Sequence, residues 1–413
     1  MSKVMKYVVI VGDGMADYPI EGIGGRTPLM AAKTPHMDWM AKHGEIGLVR
    51  TIPEGFNPGS EIANLSIFGY DPVHYYTGRG PLEAASIGIK LEPNDIAFRC
   101  NLVTLRSEGT KTFMEDFTAG HITDEEARKI INDLDKEMGT KEVRFYSGVS
   151  YRHLMVLKDG AAKFSNLEKL ELTPPHDIIG KEISPFLPKA GGDQVLSLMN
   201  KSQQLLKDHP VNFSRRAKGL LPANSIWLWG QGRSPQMATL KERFGIEGYV
   251  ISAVHLLKGI GILAGLEVLE VPGATGYFDT NYDGKAQYAL RGLKEKDFVY
   301  VHVEAPDEAG HMGDVRVKIQ TIETFDEKIV GAILKGMNHF ERYKILVLPD
   351  HPTPLSIRTH TADPVPYVIY SNEGGSRHAN VERFDEVSAR QSQIFIENGF
   401  ELIERFLSPH CSC

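Results

Sequence analysis

The 413-residue sequence is poor in cysteine, contains no long apolar run and carries no excess of positive charge. Its three cysteines, Cys100, Cys411 and Cys413, provide no disulfide framework and fit a reducing cytoplasm. The last four residues, 410–413, could chelate a metal, but a frayed terminus is the simpler interpretation.

The absence of long apolar segments and of an excess of basic charge argues against membrane proteins and nucleic-acid-binding proteins. No apolar run reaches the roughly 18 residues that a membrane span requires, and the first residues do not form a signal peptide. The formal net charge of -7 argues against non-specific nucleic-acid binding, although local arginines can still attract small anions. We therefore expect a cytoplasmic globular protein without membrane or nucleic-acid partners.

The length fits two or three domains, and the pattern of apolar runs changes twice along the chain. From residue 223 onward, short apolar runs such as 225–229 and 298–303 alternate with helical patterns, which is typical of parallel βαβ units. Residues 92–222 instead show strands followed by helices. We predict a discontinuous α/β domain, 1–91 and 223–413, that contains an inserted α+β domain, 92–222. The last predicted element is a helix over 388–407.

Metal-competent side chains follow three of the predicted buried strands, which cover residues 7–11, 298–303 and 345–348. Because the carboxyl ends of parallel strands share one edge of a sheet, these side chains can converge. The set consists of Asp13, Asp307, His311, Asp350, His351 and His360. A mixed set of histidine and aspartate suits Zn²⁺ or Mn²⁺ better than Mg²⁺ or Ca²⁺, and its size exceeds what one tetrahedral ion needs.

Three of these residues also have a simpler interpretation. Asp13 alone would be a turn residue or a helix cap. Asp307 and His311 would form an exposed acidic turn with a surface histidine.

Ser60 lies in a long loop-rich segment, residues 51–81, directly after Gly59 and at the start of a helical pattern. It is either an N-cap or a nucleophile at a helix N-terminus, where the backbone dipole favours negative charge. Two metal ions about 3.5–4 Å apart stabilise the attacking and leaving oxygens of phosphoryl transfer, and one can lower the pKa of a serine hydroxyl. The metal-competent set therefore favours the nucleophile.

Motifs along nearly the whole chain carry a resemblance to a known family. They are VGDGM (11–15), PGSEIANLS (58–66), GYDP (69–72), TGRGPLEA (77–84), YRH (151–153), TPPHD (173–177), IWLWGQG (226–232), ISA (251–253), VEAPDEAGH (303–311), DHPTP (350–354) and THT (359–361). In this order they resemble the alkaline phosphatase superfamily, and more closely the archaeal type of cofactor-independent phosphoglycerate mutase. One departure is Pro349, where many relatives have serine or alanine. A proline fits the end of a strand.

The resemblance implies a parallel-rich sheet sandwiched by helices, with a smaller inserted α+β lid domain. It implies an isomerase of glycolysis and gluconeogenesis that interconverts 3-phosphoglycerate and 2-phosphoglycerate without 2,3-bisphosphoglycerate. A phosphoserine would form on Ser60 at two divalent ions, with Mn²⁺ favoured and Zn²⁺, Co²⁺ or Mg²⁺ as alternatives. One ion would be held by Asp13, Ser60, Asp350 and His351, and the other by Asp307, His311 and His360. The loop 352–359 would set the spacing of the ions.

A lid would keep water from the phosphoenzyme, and a small polyanion requires cationic hydrogen-bond donors. The candidate substrate-binding residues are Arg152, His153, His176, Asp177, Arg215 and Lys258. Any one of these cations could instead be a solvated surface residue, and Arg79 could brace the glycine-rich loop. A metal-dependent phosphatase, a phosphomutase for another metabolite and a non-catalytic metal-binding relative remain alternatives. The oligomeric state stays open.

Overall fold

The structure, a computed structural model, describes residues 4–164, 166–374 and 381–408. The chain divides into two compact units. One unit ends at Tyr76 and resumes at Gln236, and the other is the insert Thr77–Pro235. The observed insert therefore begins and ends outside the predicted limits of 92 and 222. The tail cysteines, Cys411 and Cys413, lie outside the described residues.

The first stretch of the discontinuous unit begins with a strand and then forms short helices around a second strand. Its elements are β1 (Lys6–Gly12), α1 (Pro28–Ala31), α2 (Pro35–His43), β2 (Glu45–Val49), α3 (Ser60–Ile67) and α4 (Pro72–Tyr75).

The insert contains five strands and five α-helices of its own among its described residues. They are α5 (Arg79–Ser86), β3 (Ile96–Glu108), β4 (Lys111–Asp116), α6 (Asp124–Met138), β5 (Val143–Val149), β6 (Arg152–Leu157), α7 (Gly160–Lys163), α8 (Asp193–Lys207), α9 (Pro210–Ala217) and β7 (Ser225–Gly232).

The second stretch of the discontinuous unit alternates helices and strands. It contains α10 (Leu240–Phe244), β8 (Gly248–Ile251), α11 (His255–Leu263), β9 (Glu267–Val268), α12 (Tyr282–Glu295), β10 (Phe298–Val303), α13 (Ala305–Met312), α14 (Val315–Phe325), α15 (Ala332–Met337), β11 (Tyr343–Leu348), β12 (Val365–Ser371), α16 (Glu386–Gln391), β13 (Phe395–Ile396) and α17 (Leu402–Leu407).

The discontinuous unit is built on an eight-stranded sheet in the order β13-β2-β12-β11-β1-β10-β8-β9. β1 is central and pairs in parallel with both β10 and β11. β12 runs antiparallel to β11 and β2, whereas the other pairs are parallel. The three central strands are buried on both faces, which explains why their sequences are mostly apolar and do not alternate. The predicted α/β class with a parallel-rich sheet is confirmed.

The insert has a separate five-stranded sheet with antiparallel pairs. Its longest strand, β3, pairs with β4, β6 and β7. The assignment of strand 225–229 to the α/β domain is therefore wrong, because β7 hydrogen-bonds to β3 over Ser225 to Gly232. An apolar run indicates a buried strand without specifying its partner.

Two predicted helices differ from the observed ones. The closing helix predicted over 388–407 is divided into α16 and α17, with the short strand β13 between them. The predicted long helix over 314–336 contains a π-helical turn, Asp326–Gly331, between α14 and α15. Among the described residues, no helix is long and apolar enough to cross a bilayer.

Candidate active site

The polar side chains that follow β1, β10 and β11 meet at one edge of the sheet. The three strands are neighbours in parallel register, with Val11 beside Leu348 and Gly12 beside Val303. The chain therefore delivers Asp13, Asp350 and His351 to the same edge, and α13 starts there with Asp307 in its first turn. This is the convergence that the sequence predicts.

Two groups of potential metal ligands form at this edge, and His351 belongs to both. Asp13, Asp350 and His351 have ligand atoms within 4.8 Å of one another, and so do Asp307, His351 and His360. The Nε2 atom of His351 lies 3.5 Å from Asp13 Oδ1, and the rings of His351 and His360 are 4.2 Å apart. His311 extends the second group, with its Nε2 3.1 Å from Asp307 Oδ2.

Ser60 is the first residue of α3, and Gly59 rather than Ser60 is the N-cap. Its Oγ atom lies 3.1 Å from His351 Nε2, beside the first ligand group. The capping interpretation is therefore wrong, because the hydroxyl faces the ligand groups instead of closing the first turn of the helix. Four residues later, Asn64 donates from its Nδ2 to Asp350 Oδ2 at 2.8 Å and to the Ser60 carbonyl.

Buried negative charge is concentrated at this edge. Burial raises the pKa of Asp13 well above its ordinary value, and the nearby charges of Asp350 and Asp307 raise it further. Burial also tends to raise the pKa of Asp307, but hydrogen bonds to His311 and His360 outweigh it and hold that pKa well below the usual range. The bond to Asp307 in turn raises the pKa of His311 to about 9.

These residues fit bound divalent ions. Asp13 Oδ1 is buried and makes no hydrogen bond to any residue that the structure describes. A buried carboxylate oxygen without a donor is costly unless a cation compensates it. The donor set, imidazole nitrogen with carboxylate oxygen, suits Mn²⁺ or Zn²⁺.

Comparisons with known proteins identify the family of the chain. The family profile described as 2,3-bisphosphoglycerate-independent phosphoglycerate mutase matches residues 41–212. A "Probable 2,3-bisphosphoglycerate-independent phosphoglycerate mutase" of Geobacter sulfurreducens is 53% identical over 404 residues, 98% of this chain and 100% of that protein. The chain belongs to this mutase family. A mutase of Methanosarcina acetivorans is 52% identical, covering 97% of this chain and 98% of its own.

Two solved structures resemble the whole chain. The PH0037 protein from Pyrococcus horikoshii superposes with a TM-score of 0.82 at 30% identity, covering 98% of this chain and 97% of its own. The cofactor-independent phosphoglycerate mutase from Thermoplasma acidophilum gives a TM-score of 0.67 at 28% identity, covering 98% and 99%. The predicted family is therefore confirmed, and with it the class of isomerase.

The predicted substrate-binding pair of this mutase, Arg152 and His153, is separated by the geometry of β6. Adjacent residues of a strand point to opposite faces. Arg152 pairs with Asn101 on one face, whereas His153 pairs with Cys100 and is buried on the core face. Burial lowers the pKa of His153 to about 3, so this ring is neutral and accepts a hydrogen bond from Gly148 N at its Nδ1.

Arg215, another predicted substrate-binding residue, is buried in the insert. Its guanidinium forms an ion pair with Glu126, with 2.6 Å between Nη1 and Oε2, and donates to the carbonyls of Leu221 and Ala119. These bonds occupy the guanidinium with internal partners, which favours a structural role.

Lys258, in the discontinuous unit, forms an ion pair with Glu270, with 2.7 Å between Nζ and Oε1. It lies on α11, which packs against α3, the helix that begins with Ser60. Lys258 therefore stays a predicted substrate contact that already has an acidic partner.

Within the insert, an arginine cluster forms around Trp229 on the face of the sheet that carries Arg152. The guanidinium of Arg99 lies 4.4 Å from the Trp229 ring centre, and that of Arg79 lies 5.6 Å away. The ring centre of His176 lies 5.4 Å from that of Trp229, and Asp177 Oδ1 lies 3.5 Å from His176 Nε2. Burial lowers the pKa of Arg99, and the charges of Arg79 and Arg152 lower it further, although Glu83 opposes them.

Sequence reasoning missed Arg99 in this cluster, and His302 at the sheet edge. His302 is fully buried, with its Nε2 3.2 Å from Asp13 Oδ2. Neither ring nitrogen of His302 has a hydrogen-bond partner in the part of the chain that the structure describes. A histidine inside the apolar run of β10 was the available signal, because buried polar groups require partners.

Proposed function

We propose that the chain interconverts 3-phosphoglycerate and 2-phosphoglycerate through a phosphoserine on Ser60, without 2,3-bisphosphoglycerate. The observation that carries the proposal is the position of Ser60 Oγ, 3.1 Å from His351 Nε2 at the N-terminus of α3. Amide groups at a helix N-terminus favour negative charge, as a phosphoryl group requires. The names of the relatives supply the substrate.

We propose that the two ligand groups bind two divalent ions, with Mn²⁺ as the favoured metal. Asp13, Ser60, Asp350 and His351 would hold one ion, and Asp307, His311 and His360 the other. Such ions neutralise phosphoryl oxygens and lower the pKa of a serine hydroxyl. Because His351 belongs to both ligand groups, its ring could serve as a ligand of either ion.

The chain's own groups account for the transfer in two balanced steps. In the first, Ser60 Oγ forms a bond to phosphorus while the bond between phosphorus and the glycerate oxygen breaks, and the serine proton ends on that oxygen. In the second, the other glycerate hydroxyl forms a bond to phosphorus while the bond between phosphorus and Ser60 Oγ breaks, and the proton of that hydroxyl ends on Ser60 Oγ. No water is consumed, so a hydrolytic side reaction must be excluded.

The insert contributes an anion-binding face in this proposal. Arg79 and Arg99 lie over Trp229, and Arg152 is close enough to Arg99 to lower its pKa. Arginine forks bind carboxylates and phosphates through paired hydrogen bonds. We propose that this face binds an anionic group of phosphoglycerate. The role of the insert as a lid stays a prediction.

The decisive experiment incubates the purified chain with Mn²⁺ and 3-phosphoglycerate, without 2,3-bisphosphoglycerate. Formation of 2-phosphoglycerate is followed by coupling to enolase, and inorganic phosphate is measured in parallel. We expect phosphoenolpyruvate to appear without stoichiometric phosphate. Release of phosphate alone would identify a phosphatase instead.

Substitution of the nucleophile gives the first prediction. We expect Ser60→Ala to lower kcat by about 10⁴-fold or more, because the residue that forms the covalent bond is lost. Ser66→Ala is the matched control, since Ser66 lies buried in the same helix and its hydroxyl bonds to no described residue. Mutase activity retained in Ser60→Ala would refute the phosphoserine mechanism.

A further inference from the structure

We infer that Thr353 is a positioning residue that joins the two metal-ligand groups through a single hydroxyl. Thr353 follows the Asp350-His351 pair after a single proline, Pro352, and is completely buried. Its hydroxyl donates to Asp307 Oδ1 and lies 3.3 Å from His351 Nδ1. One side chain that is not itself a proposed ligand therefore contacts a ligand of each group. This inference rests on the proposed two-ion site.

The hydrogen-bond direction fixes the tautomer of His351. A hydroxyl has one hydrogen, and here it points to Asp307 Oδ1, so the lone pairs of Thr353 Oγ1 remain to accept from His351 Nδ1–H. The proton then sits on Nδ1, and the lone pair of Nε2 faces Ser60 and Asp13. A histidine ligand needs this arrangement, in which an outer partner holds the nitrogen that does not bind the ion.

The backbone of Thr353 is anchored on both sides. Its N–H donates to the Ala16 carbonyl at 3.2 Å, and its own carbonyl accepts from the buried Lys318 Nζ at 2.8 Å. The same ammonium forms an ion pair with Asp17 at 2.8 Å. The hydroxyl of Thr353 is therefore held in place by bonds that do not involve any proposed metal ligand.

Two glycines leave just enough space for this side chain. A Cβ atom at Gly14 would lie 2.5 Å from both Thr353 Oγ1 and Asp307 Oδ1, and one at Gly310 would lie 2.5 Å from the Thr353 carbonyl oxygen. Gly14 also has a φ of +60°, which favours glycine. The close packing leaves the Thr353 hydroxyl little freedom to turn away from Asp307 and His351.

The test compares two substitutions that separate the hydroxyl from the methyl group. Thr353→Val keeps the shape and removes both hydrogen bonds, whereas Thr353→Ser keeps the hydroxyl and removes the methyl group. Binding of Mn²⁺ to the metal-free chain is measured by calorimetry, with folding checked by circular dichroism. Thr321→Val is the matched control, because Thr321 is buried and, among the described residues, its hydroxyl bonds only to the Lys318 carbonyl in its own helix.

We expect Thr353→Val to weaken both Mn²⁺ binding events by about 10–100-fold, and Thr353→Ser to bind within a few-fold of wild type. Unchanged binding in the valine variant overturns the inference, as does weakening at one ion only. Equal weakening in the serine variant also overturns it, because methyl packing would then be responsible. A wild-type chain that fails to bind two ions refutes the two-ion site itself and this inference with it.

Discussion

His153 shows how one buried side chain makes stability depend on pH. Its pKa falls from 6.5 to about 3 because burial disfavours the charged ring. Between these two values the unfolded chain binds a proton that the folded chain does not. The free energy of unfolding therefore rises with pH across this window, by up to about 1.4 kcal/mol per pH unit.

This dependence gives the second prediction. We expect the insert to lose stability as the pH falls from 6.5 to 4, and His153→Gln to remove most of that slope. Urea unfolding followed by the fluorescence of Trp227 and Trp229, both in the insert, measures it. An unchanged slope in the variant would assign the acid sensitivity to another group.

Arg215 provides the third prediction, which separates a structural role from substrate binding. Its carbonyl partners include Ala119, in a turn where Ala119, Gly120 and His121 all have positive φ. Such backbone conformations are costly and persist only when surrounding contacts hold them. We expect Arg215→Met to lower the free energy of unfolding by on the order of 3 kcal/mol, because Glu126 and these carbonyls lose their donor.

Arg216→Met is the control, because Arg216 is exposed and, in the part of the chain that the structure describes, donates to the Lys207 carbonyl alone. We expect that variant to change stability by less than about 0.5 kcal/mol. If Arg215→Met instead raised KM without loss of stability, direct substrate binding by Arg215 would be supported.

The π-helical turn between α14 and α15 supplies a side chain that caps the N-terminus of α2. Asp326, the first residue of this turn, is fully buried and caps α2. Its Oδ1 accepts from Met37 N at 2.7 Å and its Oδ2 from His36 N at 3.1 Å. The carboxylate thereby satisfies amides at a helix N-terminus and complements the helix dipole.

The fourth prediction follows from this cap. We expect Asp326→Ala to lower the free energy of unfolding by about 1–3 kcal/mol, because two amides of α2 lose a charged acceptor. The neighbouring Glu327 is exposed, so Glu327→Ala should be nearly neutral. Equal effects of the two substitutions in chemical unfolding would show that the cap is unimportant.

The sequence predicts the strands that carry the site because those strands are buried on both faces. β1, β10 and β11 are mostly apolar, and the polar residues that the structure brings together follow their carboxyl ends. Partner choice is harder to predict, since β7 is equally apolar but pairs in the insert. Pairing is decided by contacts distant in sequence, which local periodicity does not encode.

The convergence of side chains was predictable where chemistry restricts the residue types and not where packing decides. Asp13, Asp307 and His351 lie within four residues of the ends of β1, β10 and β11, and their types suit a metal site. Arg152 and His153 are adjacent in sequence, yet the alternation of β6 sends one to the arginine cluster and the other into the core. Thr353 gave no signal in the sequence, because its role depends on two contacts made only in the folded chain.

Both ligand groups belong to the discontinuous unit. We therefore expect metal ions to stabilise this unit and not the insert. The fifth prediction is that chelation by EDTA inactivates the enzyme and that Mn²⁺ or Co²⁺ restores it. Ions at about 100 times their dissociation constant stabilise the unit that binds them by about 2.7 kcal/mol.

Hydrogen–deuterium exchange with and without Mn²⁺ locates this effect. We expect slower exchange in the peptides around residues 13, 60, 307 and 350, and little change in the insert's sheet. Full activity after exhaustive chelation would refute the metal requirement. Equal protection in both units would contradict a regional effect.

The central position of β1 has a consequence for the order in which the chain folds during translation. Its two neighbours in the sheet, β10 and β11, are synthesised about three hundred residues later, so the first strand of the nascent chain has no partner for most of translation. The insert's sheet, in contrast, is complete once β7 has emerged. We expect the insert to fold while translation continues, and the metal-binding edge to assemble only after His360 has left the exit tunnel. We expect a chain that ends after Pro235 and before β10 to contain a folded insert and no complete metal-binding edge.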